Sequence, residues 1–178
     1  MSNLENNLSE ELKIILNQND FDDYIIDILM LIIDENYTRE TINKVLNKHG
    51  INKIEDIKLK LLDVLIEYAN LVLDDHYISE KERENIEMLK LYFRIKEGDF
   101  YKYRHLQIED IIHRQFERIY LDNTITKEEA KHSFNLQDLF DLSYDQFDLM
   151  KEKEIIRAMS EGTNIFHLDT ARFPKYIK

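Results

Sequence analysis

Apolar residues recur every three or four positions through most of the chain, which is the spacing that places them on one side of an α-helix. The clearest runs lie in residues 57–72, 79–93, 101–119 and 143–159. Glycine occurs three times and proline once, so few positions interrupt these runs. We therefore expect more than two thirds of the residues to be helical, in seven or eight helices with no sheet beyond a strand-like tail.

A stretch of ten residues occurs twice, 47 positions apart. In residues 73–82 and again in 120–129, an apolar helical run ends at an Asp and is followed by a short polar loop and an Ile. The next helical run begins at Ser79 in the first stretch and at Thr126 in the second. A Glu follows each hydroxyl residue three positions later, which is the spacing of a capping box, so both residues are expected to be helix N-caps. The register continues in four further pairs, Leu89 with Leu136, Phe93 with Phe140, Ile95 with Leu142, and Phe100 with Phe147.

We interpret this repeat as an internal duplication within one helical domain, residues 1–178. Its predicted parts are N-terminal acidic helices in 1–56, a first copy in 57–103, a second copy in 104–161, and a non-helical tail in 162–178. The tail has no helical period and contains the only proline, so it is expected to be extended. The predicted fold class is all-α, a compact multi-helix bundle built from a duplicated helix–loop–helix unit with an extended C-terminal tail.

The most apolar helix is predicted between Phe21 and Ile33. Its apolar residues leave little polar face, which is typical of a helix in the middle of a bundle. Thr38 is expected to begin the next helix as its N-cap. Gly50 suits the left-handed position just after the end of that helix.

Composition and charge exclude several classes of function. The net charge of −12 repels nucleic-acid phosphates, so direct binding to DNA or RNA is disfavoured. Cysteine is absent, which excludes disulfides, thiolate nucleophiles and Cys-ligated zinc. No run reaches the roughly 18 apolar residues of a membrane span, and the N-terminus does not resemble a signal peptide. A cytoplasmic location is expected.

The sequence contains no recognisable catalytic motif. It has no Gly-x-Ser-x-Gly elbow and no phosphate-binding glycine loop, so an enzyme is the least supported class. Two histidines and two glutamates recur every four residues along one side of a helix, at His105, Glu109, His113 and Glu117. Histidines eight positions apart are too distant for one zinc ion. We interpret this side as a solvated face with ion pairs such as Asp110 to Arg114.

The repeated loops also hold candidate metal ligands, Asp75, Glu82, Asp122 and Glu129. In each copy the Asp and the Glu occupy the fifth and twelfth positions of an EF-hand-like loop. The first and third positions hold apolar or basic residues and a tyrosine, whereas calcium needs six to eight oxygens. A Glu that folds back onto its own N-cap cannot also bind an ion bidentately. The capping box is therefore the preferred interpretation, no cofactor is expected, and a divalent cation is the alternative.

The same pattern, together with the turn from Phe140 to Ser143 that closes the second copy, resembles the TerB-like fold of tellurite-resistance and stress-response proteins. The resemblance covers about residues 57–161, with a weaker echo in 21–57. It implies an all-helical bundle whose loop acids have been discussed as cation-binding, in proteins of bacterial stress response or phage defence. The Gly-Lys or Gly-Glu usual after the loop Asp is replaced here by His76-Tyr77 and by Asn123-Thr124.

Negative charge is concentrated near the N-terminus, where residues 1–35 contain nine Asp or Glu and one Lys. This region is either a solvated face or a docking surface for a basic protein, with Asp20, Asp22, Asp23 and Asp27 as the candidate contacts. Two functions follow. One is a non-enzymatic TerB-like module that acts through protein–protein contacts in stress response or phage defence. The other is an acidic immunity or inhibitor protein that blocks a basic partner enzyme, such as a toxin or nuclease.

Overall fold

The computed structural model of the protein describes residues 8–74, 78–119, 132, 135–160 and 162. These residues form a 3-10 helix, Ile54–Ile57, and seven α-helices: α1 Leu8–Gln18, α2 Asp23–Ile33, α3 Arg39–Lys48, α4 Lys58–Val72, α5 Glu80–Phe93, α6 Asp99–Ile119 and α7 Tyr144–Ser160. Residues 135–139 are also helical. No strand occurs in the described part of the chain, which confirms the all-α prediction. The predicted tail, except Gly162, lies outside the described residues.

The chain divides into two compact units, Met1–Lys96 and Glu97–Lys178. In the first unit α1 packs against α2 and α4, α2 packs against α3, and α4 packs against α5. In the second unit α6 packs against α7. None of the helices described is both long enough and apolar enough to cross a membrane. The predicted single domain and the boundaries of its parts stay predictions.

The prediction that α2 lies in the middle of a bundle was wrong. Ile25, Ile28 and Leu29 are buried, but Ile26 and Met30 are 37% and 40% exposed. The physical reason is that α2 packs mainly against α1 and α3, on the side that carries its buried residues. The apolar composition of the helix therefore reflects both a core face and an exposed apolar strip.

The predicted N-caps that lie within the described residues are confirmed. The hydroxyl of Thr38 accepts the N–H of Thr41 at 3.1 Å at the start of α3. At the start of α5 the hydroxyl of Ser79 accepts the N–H of Glu82 at 3.2 Å, and the carboxylate of Glu82 accepts the N–H of Ser79 at 2.7 Å. This is the predicted capping box. Thr126 and its Glu partner in the second copy lie outside the described residues.

The end of α3 is also confirmed. Gly50 has a φ of +68°, in the left-handed region that favours glycine. The N–H of Ile51 donates to the carbonyl of Leu46 at 2.9 Å, and the N–H of Gly50 donates to the carbonyl of Asn47 at 3.2 Å. These two bonds form a Schellman motif, which satisfies carbonyls that the helix leaves without partners.

Backbone features recur at positions 47 residues apart. Ile57 and Arg104 both leave helical geometry just before a helical run, with φ and ψ of −109° and 15° in the first case and −137° and 25° in the second. Arg94 and Asp141 both adopt left-handed backbone, with φ of 55° and 50°. After each of them the next N–H reaches back to the carbonyl five residues earlier, Ile95 to Lys90 at 2.9 Å and Leu142 to Gln137 at 3.1 Å.

Replacing Ser79 with Ala is expected to lower the free energy of unfolding by about 1 kcal/mol, because the N–H of Glu82 loses its acceptor at the start of α5. Urea unfolding of both proteins measures the difference. The control is Lys81→Ala, which changes an exposed residue of the same helical turn and should shift stability by less than about 0.5 kcal/mol. Equal stabilities for Ser79→Ala and the control would show that the hydroxyl contributes nothing to the helix.

Candidate functional site

The outer side of α2 combines acids with apolar side chains. Ile26 and Met30 are one turn apart and both exposed, and Asp23 lies one turn before Ile26 on the same side. Asp20, in the loop that leads into the helix, is exposed as well. We call these four residues the acidic α2 face. Contiguous exposed apolar patches with a polar rim are typical of protein-binding surfaces.

Two of the four predicted partner-binding acids are engaged within the chain. The carboxylate of Asp22 lies 2.9 Å from Nζ of Lys60, and this hydrogen bond holds the pKa of Asp22 below its usual range. The carboxylate of Asp27 lies 2.7 Å from Nε2 of His49 and 2.6 Å from Nζ of Lys48. His49 and Lys48 hold the pKa of Asp27 below its usual range. Their charges are balanced locally, so these two acids offer less negative field to a partner.

The other two predicted acids, Asp20 and Asp23, form no ion pair with any residue that the structure describes. Asp23 lies in the first turn of α2, where the positive end of the helix dipole stabilises a carboxylate. Asp23 therefore stabilises the start of α2 and also presents a negative charge to solvent. Among the four candidate acids, Asp20 and Asp23 are therefore the two without an ion pair to a described residue, and Asp23 lies on the same side of α2 as Ile26 and Met30.

A buried polar network that the sequence did not predict joins three helices of the first unit. Glu11 of α1 is only 6% exposed. The hydroxyl of Tyr68 in α4 donates to its Oε2 atom, and Nδ2 of Asn85 in α5 donates to the same atom at 3.2 Å. Burial raises the pKa of Glu11, while the two hydrogen bonds act in the opposite direction. Its Oε1 atom has no hydrogen-bond partner among the described groups.

The second unit has a buried polar pair at the equivalent positions. Gln115 and His132 follow Tyr68 and Asn85 by 47 residues each. Both are buried, and Nε2 of His132 lies 3.2 Å from Oε1 of Gln115. In the first unit the corresponding distance, from Nδ2 of Asn85 to the hydroxyl of Tyr68, is also 3.2 Å. Each copy of the repeat therefore holds a polar contact between its first and second helical segments at the same register.

Three of the four candidate metal ligands, Asp75, Asp122 and Glu129, lie outside the described residues. The fourth, Glu82, is buried, and its carboxylate accepts the N–H of Ser79 at 2.7 Å. No group of three or more His, Asp or Glu side chains within the described ranges could hold a metal ion. In this structure the carboxylate of Glu82 therefore forms part of the cap of α5.

The histidine-containing side of α6 is not simply the solvated face that was predicted. His113 packs toward α7, and its Nδ1 atom lies 2.5 Å from the carboxylate of Glu154. Its side chain is 18% exposed and that of Glu154 is 11% exposed, because α7 packs along this side of α6. The predicted ion pair between Asp110 and Arg114 is confirmed at 3.2 Å. This arrangement joins α6 to α7.

No protein-family model matches the sequence, and no curated protein or solved structure is significantly similar to it. The TerB-like resemblance therefore rests on the motifs of the sequence and stays a prediction.

Proposed function

We propose that the protein is a non-enzymatic, TerB-like helical module that acts through protein–protein contacts in bacterial stress response or phage defence. Its acidic α2 face is the binding surface, and the partner is basic. The observation that carries this proposal is that Asp20 and Asp23 are exposed and form no ion pair with any described residue, at the start of a helix whose Ile26 and Met30 are also exposed.

This combination suits a docking surface for physical reasons. Burying Ile26 and Met30 against a partner removes apolar area from water, which supplies affinity of about 25 cal/mol per Å² before the costs of association. Asp20 and Asp23 attract a basic partner during the encounter and fix its orientation.

The TerB-like part of the proposal draws its support from the repeat. Positions 47 residues apart share backbone angles at two places, and they share a buried polar contact between Tyr68 and Asn85 in one copy and between Gln115 and His132 in the other. Local sequence patterns alone do not require a buried polar pair at matching register. We infer a duplicated helix–loop–helix unit, as the resemblance implies.

The second candidate is an acidic immunity or inhibitor protein. The nine-to-one excess of acids over Lys in residues 1–35 favours it, because a concentrated negative field can mimic nucleic acid toward a basic enzyme. Both candidates use the same surface. They differ in outcome, since an inhibitor abolishes the catalytic activity of its bound partner at stoichiometric concentration, whereas a stress or defence module leaves that activity in place.

The test starts from a partner purified from the native host with the full chain as bait, and then measures its affinity in a defined two-component assay. We expect Asp20→Asn combined with Asp23→Asn to weaken binding by about ten-fold, and we expect affinity to fall as salt is raised from about 50 to about 500 mM. Asp22→Asn and Asp27→Asn should weaken binding less, because these acids are already paired within the chain.

The matched control combines Glu97→Gln with Asp145→Asn, which gives the same net charge from two exposed acids of the second unit. Asp145 lies in the first turn of α7, as Asp23 does in α2, so the control also reproduces the effect on a helix dipole. Full affinity in the Asp20/Asp23 variant, or binding that ignores salt, would reject the acidic α2 face as the docking surface.

A further inference from the structure

A second surface of the first unit carries the opposite charge. A groove of about 370 Å³ lies between α3, the segment that precedes the 3-10 helix, and the end of α5. Three cations line it, Arg39, Lys53 and Arg94, and no Asp or Glu is among the described residues of its wall. We call it the cationic groove. Such a surface is unexpected in a chain whose net charge is −12.

The floor of the cationic groove is apolar. Ile42 and Leu46, on successive turns of α3, lie beside Ile54 of the 3-10 helix, and all three side chains belong to the core. Leu91 of α5 borders the same groove with 75% of its surface exposed. A large apolar side chain so exposed beside an apolar floor provides a contact that a bound chain can cover.

One wall of the groove is fixed before any ligand arrives. The rings of Tyr37 and Tyr92 stack with their centroids 4.4 Å apart, and the hydroxyl of Tyr37 donates to the carbonyl of Tyr92 at 2.6 Å. Burial raises the pKa of Tyr37 to about 12. Because the carbonyl of Tyr92 is already bonded, it presents little negative charge to an incoming anion.

The cations of the groove are only partly neutralised by the chain itself. Arg39 forms no ion pair with any described residue, and Nζ of Lys53 is 3.9 Å from the carboxylate of Asp56. Arg94 is paired with Glu55 at 2.9 Å. Thr38 caps α3 at the same end as Arg39, so the positive end of the helix dipole adds to the field there.

We propose that the cationic groove binds a short acidic peptide segment of another protein, with an apolar side chain on the floor and carboxylates directed to Arg39 and Lys53. Along α3 the groove extends from Arg39 to Leu46, a helical rise of about 10 Å. An extended peptide of about three to four residues has the same length. The proposed ligand is therefore a segment of a few residues in which acidic residues lie next to a large apolar residue. This site is additional to the proposed basic partner of the acidic α2 face, and the first unit then holds two partners of opposite charge.

The test is selection of a random peptide library on the full chain, followed by fluorescence-polarisation titration of the enriched peptides. We expect enrichment of Asp or Glu around Leu, Ile, Phe or Met. Combining Arg39→Gln, Lys53→Gln and Arg94→Gln should raise the Kd of these peptides by about ten-fold or more. Leu91→Ser should weaken them too, without any change of charge.

The matched control combines Lys13→Gln, Lys44→Gln and Arg83→Gln, which removes three exposed cations of the same unit and should leave peptide affinity within about two-fold. The Asp20→Asn/Asp23→Asn variant should keep peptide binding, which separates this site from the acidic α2 face. Three results would overturn the proposal. They are enrichment without an acidic pattern, equal loss of affinity in groove and control variants, and self-association of the chain that the groove variant abolishes.

Discussion

Replacing Phe93 with Ala is expected to lower the free energy of unfolding by about 3–5 kcal/mol, and Phe140→Ala should cost a similar amount. Both side chains are fully buried, and the two residues are 47 positions apart at the ends of equivalent helical segments. Each substitution leaves a cavity that neighbouring side chains cannot fill. Urea unfolding followed by circular dichroism measures both losses, and hydrogen exchange shows which helices lose protection.

Exposed positions nearby provide the controls. Leu91→Ala on α5 and Ile156→Ala on α7 remove side chains that are largely exposed, and each should change stability by less than about 0.5 kcal/mol. A large loss for Phe93→Ala with almost none for Phe140→Ala would mean that the two positions do not play the same part in packing. The duplication would then lose its energetic support, although the sequence repeat would stand.

Features that depend on neighbouring residues were predictable from the sequence. The capping box of Ser79 and Glu82 needs only residues three positions apart, and the left-handed Gly50 needs only the end of its own helix. The all-helical fold follows in the same way from short-range spacing of apolar positions. In each case the stabilising interaction is complete within one or two helical turns.

Features that depend on distant residues were not predictable. The apolar run of α2 does not reveal that Ile26 and Met30 stay exposed, because that depends on how many helices surround it. Asp27 looked like a free surface acid, yet its partner Lys48 is 21 positions away. Glu11 belongs to no motif of the sequence, because its buried partner Tyr68 is 57 positions away. Sequence spacing carries no signal for such pairs.

The cationic groove is another feature that depends on residues distant in the sequence. Arg39, Lys53 and Arg94 are scattered over a region in which the overall charge is negative, so composition hides them. Folding brings them to one surface of the first unit. The net charge of the chain therefore predicts its solubility and its long-range repulsion of other charges. The choice of partner depends instead on the charged side chains that lie within one Debye length, about 8 Å, of the binding surface.

Replacing Tyr68 with Phe is expected to destabilise the protein by about 1.5–3 kcal/mol at neutral pH, because it removes the O–H that donates to the buried carboxylate of Glu11. Asn85 remains as a donor to the same oxygen at 3.2 Å. The control is Tyr24→Phe, whose hydroxyl donates to the exposed Asp22 at 2.8 Å. That loss should be below about 0.5 kcal/mol, since water replaces the donor.

The pH dependence of stability has a definite sign at Glu11. Its pKa in the folded protein lies above the ordinary value of 4.5, so the folded state holds this proton more tightly than the unfolded chain does. Protonation of Glu11 therefore contributes its full stabilisation below pH 4.5. This contribution is lost as pH rises through the raised pKa of the folded protein. Asp22 and Asp27 act in a lower window, because their pKa values are depressed from 3.8 and their contribution is lost as pH falls.

Glu11→Gln isolates the effect of the buried charge, since the amide keeps an oxygen that can accept from Tyr68. We expect the wild type to lose stability relative to Glu11→Gln as pH rises from about 4.5 to about 7, with urea unfolding at several pH values as the measurement. In the Glu11→Gln background, Tyr68→Phe should cost only about 1 kcal/mol, as for a hydrogen bond between neutral groups. An equal cost in both backgrounds and at both ends of this pH range would show that Glu11 carries no buried charge in the folded protein.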